Sequence, residues 1–284
     1  MPLIYLQLLL ITITTAIACT LPGNFLVLRG TALMSDALSH AILFGIVIMF
    51  LIIQDINSPL IFLGAILAGI MTVTITEFLT KSGLIHQDAA IGLTFPFLFS
   101  IAVLLINQYA NNMHLDTDAI LLGELAFAPF HRLYFYGYDC GPIALWNMSA
   151  ILACNIAFIS YFYKELKITT FDPCYATLVG YNATLFHYAL MVMTSITIVQ
   201  AFQTTGTILV ISFIITPAAT AYLLTKKLSE MITLSCLLST IAVGCGFLFA
   251  NAYNSSIAGS IAVANGILFF IVMLSTKLRK ATFY

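Results

Sequence analysis

The run DALSHAILFGIVIMFLII, residues 36–53, decides how the chain is read. Beyond His40 it holds no polar side chain, and its length approaches the ~20 mostly apolar residues that a helix needs to cross a bilayer. Its head nevertheless carries a carboxylic acid and an imidazole, Asp36 and His40, four residues apart. A buried helix of a soluble protein and a membrane span are both open from the run alone. Composition separates them. The chain of 284 residues is 61% hydrophobic and only 7% charged, whereas soluble domains carry about 25% charged residues. So few charges cannot clothe a soluble surface, and the chain reads as an all-α polytopic membrane protein. A net charge of −1 leaves no basic field for nucleic acid. No G-x-x-x-x-G-K-[ST] run occurs, so the chain has no P-loop with which to bind ATP itself.

Working outward from 36–53, the remaining apolar runs divide into further spans. Residues 1–28 hold no charged side chain and make one span, expected to break near Pro22-Gly23. Residues 58–80, 89–107 and 141–163 give three more, with Pro96 inside the second of these. Residues 173–225 are long enough for a connector and two spans, parted near Gln203–Gly206. Residues 231–276 hold another two, parted by the polar turn at 251–256. The total is about nine, with eight as the alternative. Residues 119–136 are interrupted by Glu124, Pro129, His131 and Arg132 and read as a short helix or re-entrant segment.

Orientation follows from the basic residues, which favour the cytoplasmic side. With the C-terminal TKLRK (276–280) inside, a count back through nine spans puts Lys226-Lys227, Lys164, Lys167, Lys81 and Arg29 inside as well. Nine of the ten basic residues then share one side, Arg132 being the exception. This places the N-terminus outside and the C-terminus in the cytoplasm.

On a helix, residues four apart share a face. A carboxylate and a neutral imidazole so placed can grip one divalent cation, and mixed O and N donors suit Mn²⁺, Zn²⁺ or Fe²⁺ better than Cu⁺. Two ligands make a weak site, which suits a conduit that must release its ion. The bland alternative makes Asp36 a helix N-cap or the ion-pair partner of Arg29, and His40 a hydrogen bond to a neighbouring helix. Ionisable groups at membrane depth are costly, so function is the default hypothesis for them. Other such groups have simpler explanations. Glu77 and Lys81 suit a surface salt bridge, and His187 beside Tyr188 suits an interfacial anchor. His114, Asp116 and Asp118 form an outer loop cluster, and Pro217 marks a kink relieved by neighbouring threonine hydroxyls.

Five blocks, in order, resemble the membrane permeases of metal-ion ABC importers. They are VLRGTALMSDALSHAILFG (27–45), QDAAIGLTFPFLFSIAVLLI (87–106), LDTDAILLGEL (115–125), FDPCYATLVGYNATLFHYAL (171–190) and QTTGTILVISFIITPAATAYLL (203–224). Where that family often has Leu-Pro-Gly, this chain has Leu43-Phe44-Gly45, which leaves the helix straighter. The resemblance implies a single permease domain over 1–284 in the bacterial plasma (inner) membrane. It implies a translocation path shared with a second permease copy or a paralogue, with Asp36 and His40 lining it. Cytoplasmic ABC ATPase subunits would dock on a coupling segment at about 168–183, through Phe171, Asp172, Pro173, Ala176 and Gly180. An extracytoplasmic metal-binding protein would deliver the ion. On this reading the chain is not an enzyme. It holds no permanent cofactor, and its cargo is a divalent metal ion, Mn, Zn or Fe. The alternative from another class is a proton-coupled secondary metal transporter using the same Asp and His, since imidazole titrates near neutral pH. A third reading is a membrane scaffold that transports nothing.

Overall fold

A computed structural model of the chain describes residues 2–55, 58, 60–109, 125, 128–135 and 138–281. Among these, nine helices are long and apolar enough to cross a membrane. They are α1 (Pro2–Leu28), α2 (Met34–Ile53), α3 (Leu60–Lys81), α4 (Gln87–Tyr109) and α5 (Ile143–Tyr161), followed by α8 (Ala183–Thr205), α9 (Thr207–Leu224), α10 (Leu228–Tyr253) and α11 (Ile257–Ala281). Two short helices, α6 (Tyr163–Phe171) and α7 (Pro173–Leu178), stand between α5 and α8. The reading of nine spans holds, and each predicted span is found within a few residues of its expected ends.

Helix α1 is the hub. It packs on α5, α8, α9 and α10, while α2 packs on α3 and α4. From Ile11 to Leu26 nearly every α1 side chain is buried, the pattern of a helix that is apolar all round. Contrary to expectation, Pro22-Gly23 does not break it. Proline lacks an N–H, which leaves the carbonyl of Ala18 one turn earlier without its helical donor. The buried Asn155 of α5 supplies that donor, its side-chain amide lying 3.0 Å from the Ala18 oxygen and 2.9 Å from the Thr197 hydroxyl of α8. Gly23 lets α9 approach so closely that a Cβ there would strike the Ile214 carbonyl.

Pro217 in α9 repeats the arrangement in reverse. It frees the carbonyl of Phe213, and the Thr20 hydroxyl of α1 reaches it at 3.0 Å, its proton shared with the Ala16 carbonyl of its own helix at 2.7 Å. Each helix thus mends its neighbour, because the hydrocarbon around them offers no substitute partner. Polar side chains join the bundle elsewhere too, from Asn24 of α1 to Ser235 of α10 at 2.9 Å and from Asn265 of α11 to Ser212 of α9 at 3.1 Å. Gly206, at φ 80°, is the single residue between α8 and α9, a left-handed geometry that favours glycine.

The expected helix or re-entrant segment at 119–136 is corrected in its described part. Arg132–Phe135 (β1) and Tyr138–Pro142 (β2) pair as antiparallel strands. The signal was available, since RLYFYGY is rich in the aromatic residues that strands prefer. Residues 110–124, with His114, Asp116, Asp118 and Glu124, lie outside the described residues.

Replacing Asn155 by Leu removes the donor that Pro22 makes necessary, and an unmet buried carbonyl costs about 1–3 kcal/mol. We expect a lower thermal midpoint in detergent for Asn155→Leu. We also expect part of that loss to return in the double variant Pro22→Ala/Asn155→Leu, where residue 22 recovers its N–H. Equal losses in the two backgrounds would contradict the assignment.

Candidate functional site

Helix α2 is buried on most of its circumference, yet its first two turns leave one stripe open. Leu33, just before the helix, Asp36 and His40 are partly or fully exposed, while Met34, Ser35, Ala37, Leu38, Ser39 and Ala41 are buried. The spacing of three and four residues is that of one helical face. Asp36 and His40 are 38% and 33% exposed and face each other, with His40 Nε2 at 3.4 Å from Asp36 Oδ1. The imidazole is held from the side by α4, stacked on Phe95 at 5.5 Å and edge-on to Phe99 at 6.0 Å.

That spacing fits a shared cation. Two donors about 2.1 Å from a tetrahedral ion stand ~3.4 Å apart, so the separation of the two atoms is compatible with one shared ion. Two ligands do not complete a coordination sphere. No group of three or more His, Cys, Asp or Glu side chains is placed to hold a metal among the described residues.

Two bland readings of Asp36 are corrected. Asp36 is not the N-cap, which is Leu33 with no side-chain hydrogen bond. Arg29 is not its ion-pair partner. Instead Arg29 donates through Nε to Thr170 at 3.1 Å, through Nη2 to Thr169 at 3.2 Å, and through Nη1 to His187 Nδ1 at 3.1 Å. Burial pulls the Arg29 guanidinium from 12.5 down to about 10, which leaves it charged at neutral pH.

His187 belongs to a second carboxylate–imidazole pair, which sequence reasoning missed. Its Nε2 lies 2.7 Å from Glu77 Oε1 on α3, and Lys81 meets Glu77 Oε2 at 2.9 Å. The Glu77–Lys81 bridge was foreseen, but Glu77 also faces inward, and His187 is a bridging residue rather than a plain interfacial anchor. This pair is unsuited to a metal. Guanidinium can only donate, so Nδ1 of His187 must accept, and its proton sits on Nε2 facing Glu77. A metal at Nε2 would need that proton moved to Nδ1, where Arg29 already points. The two pairs look alike in composition and differ in what flanks them: aromatic rings at His40, cations at His187.

The same end of the bundle carries α6 and α7. Asp172 caps α7, accepting from the Tyr175 N–H at 2.9 Å, and Pro173 opens it. Ala176 is buried, and Gly180 ends the segment at φ 93°. All else from Phe171 to Gly180 is exposed, including the large apolar Phe171, Tyr175, Leu178 and Val179. The sequence pattern singled out Phe171, Asp172, Pro173, Ala176 and Gly180. The structure adds Tyr175, Leu178 and Val179 as the outward apolar face.

Comparison with known proteins agrees over nearly the full chain. The profile described as ABC 3 transport family (ABC-3) matches residues 3–276. The zinc transport system membrane protein TroD of Treponema pallidum is 44% identical over 269 residues, 95% of this chain and 73% of the relative. The manganese transport system membrane protein MntD of Bacillus subtilis is 39% identical over 257 residues, 90% of this chain and 87% of the relative. Among solved structures, PsaBC from Streptococcus pneumoniae in complex with Fab superposes with a TM-score of 0.76 at 30% identity, covering 94% of this chain and 89% of the other.

The open stripe gives a direct check on the site's geometry. In a background without native cysteines, Asp36→Cys and His40→Cys should react with a water-soluble thiol reagent, whereas Ala37→Cys and Ala41→Cys should not. Equal labelling at all four positions would show that the face is not selectively open.

Proposed function

The chain belongs to the ABC 3 transport family, and from that membership we propose that it is the permease subunit of an ATP-driven importer of divalent transition-metal ions: manganese, zinc or iron. Its relatives are transport membrane proteins and not enzymes, so no covalent step is assigned to it. The cargo is exchanged between water and protein donors. The family match leaves the proton-driven alternative without support.

The observation that carries the site assignment is the Asp36–His40 pair, open on an otherwise buried helix and spaced for one ion. A lone carboxylate facing lipid would be costly. A second permease copy or a paralogue, set against this stripe, would bury it in a shared path and bring further donors, up to four in all. Borderline O and N donors hold each of the three metals in the affinity order of the metals themselves. Selection among them therefore falls largely to the protein that delivers the ion.

The energy for the cycle comes from cytoplasmic ABC ATPase subunits. The exposed apolar face of α7, with Phe171, is the surface offered to them, and the buried Ala176 ties that face to the bundle. The distribution of basic residues supports an N-terminus outside and a C-terminus in the cytoplasm of a bacterial plasma membrane. It also places the α6–α7 segment where an ATPase can reach it and leaves the far end to an extracytoplasmic metal-binding protein.

Cells expressing the chain with its ATPase and binding protein should accumulate one of Mn, Zn or Fe, and His40→Ala should bring that metal to background. Normal accumulation in the variant would remove the pair from the path. Separately, Leu178→Asp should lower co-purification of the ATPase by about tenfold or more, as loss of a buried apolar anchor does at protein interfaces. Undiminished co-purification would move the docking surface elsewhere.

A further inference from the structure

We propose that Arg29 is a positioning residue that couples the α6–α7 segment to the metal-bearing helix α2. The inference rests on the permease reading and adds a device within it. Arg29 directly follows α1 and precedes the turn at Gly30, φ 70°, which leads into α2. Its guanidinium is forked between two elements. Nε and Nη2 hold Thr170 and Thr169, both on α6, and Nη1 holds His187 on α8. His187 continues the chain to Glu77 at 2.7 Å, and Lys81 closes it at 2.9 Å. One connected line of hydrogen bonds therefore runs from the segment nearest the ATPase surface, through the start of the α1–α2 turn, to α8 and α3.

Three features suit this line to movement. First, each of the three acceptors of the Arg29 fork is neutral, so the cation is held by geometry rather than by direct ion pairing. The Thr169 hydroxyl also donates to the Glu165 carbonyl of its own helix at 2.8 Å, which orients its lone pairs toward the guanidinium. Second, the line borders a cavity of about 370 Å³, lined by Arg29, Thr76, Glu77, Thr169, Pro173 and His187 among others. The side chains have room to re-pair. Third, the Thr76 hydroxyl is buried at 1% exposure without a hydrogen-bond partner among the described residues, and so offers an unused contact for a second arrangement. Coupling between distant sites requires an element with two discrete arrangements that both sites bias. A displacement of α6 by the ATPase would pull the fork, and with it the turn from which α2 begins.

Lysine retains the charge of arginine but not its planar fork. In proteoliposomes holding the full complex of permease, ATPase and binding protein, we measure the metal translocated per ATP hydrolysed, with Mn²⁺, Zn²⁺ and Fe²⁺ each offered and the one that wild type moves used for the variants. Arg29→Lys should lower that ratio about fivefold or more, the lower end of coupling factors between linked sites. ATPase association and Mn²⁺ affinity at the Asp36–His40 pair should stay as in wild type. His187→Gln, which keeps one donor for Glu77 and one acceptor for Arg29, should preserve the ratio, and His187→Leu should lower it. A ratio unchanged in Arg29→Lys, or a fall only in proportion to lost complex, overturns the inference and leaves the permease reading standing. Equal damage in His187→Gln and His187→Leu also overturns it. A wild-type complex that moves none of Mn²⁺, Zn²⁺ and Fe²⁺ with ATP overturns the permease reading, and this inference with it.

Discussion

Hydrocarbon offers a polar group nothing to bond with, and the structure is organised around that fact. Of the three interior prolines, Pro22 and Pro217 free carbonyls that are met from another helix: Ala18 by Asn155, Phe213 by Thr20. These contacts tie α1 to α5 and α9. Small residues then let the backbones close, Gly23 against Ile214 and Gly45 against Gly64. A bundle with so little charge is held by packing and by a few well-placed amides and hydroxyls, as expected where the hydrophobic effect does not favour one apolar neighbour over another.

Against that background the ionisable groups sort by their flanks. Glu77 and His187 are enclosed by Arg29 and Lys81, every lone pair facing the line spoken for, and they serve as a link. Asp36 and His40 have no cation paired with them among the described residues, keep about a third of their surface open, and are braced by Phe95 and Phe99. The same two functional groups, a carboxylate and an imidazole, are enclosed among cations in one place and open beside aromatic rings in the other, and the open pair is the one we propose for the ion. On the proposed reading, the open stripe is the place for a partner and a passing ion.

Much of this was legible in the sequence because bilayer thickness fixes the length of apolar runs, and because Asp36 and His40 are local in sequence as well as in space. The nine spans and the pairing of Asp36 with His40 both follow from spacing. What escaped was non-local. Asn155 gives no sign in the sequence that it repairs a helix 137 residues away, so Pro22 reads as a break. Arg29 lies seven residues from Asp36, and proximity along the chain suggested an ion pair, whereas its acceptors lie on α6 and α8. Residues 132–135 and 138–142 form strands because aromatic side chains there outweigh the pattern of interruptions that suggested a short helix.

The central claim is that a transported ion is held by His40 and Asp36. The most direct measurement is the electron spin-echo spectrum of Mn²⁺ bound to the purified permease, which reports nitrogen nuclei in direct coordination. The account predicts modulation from an imidazole nitrogen in wild type and its loss in His40→Gln. Mn²⁺ bound without nitrogen coupling, or with coupling that survives the substitution, would contradict it.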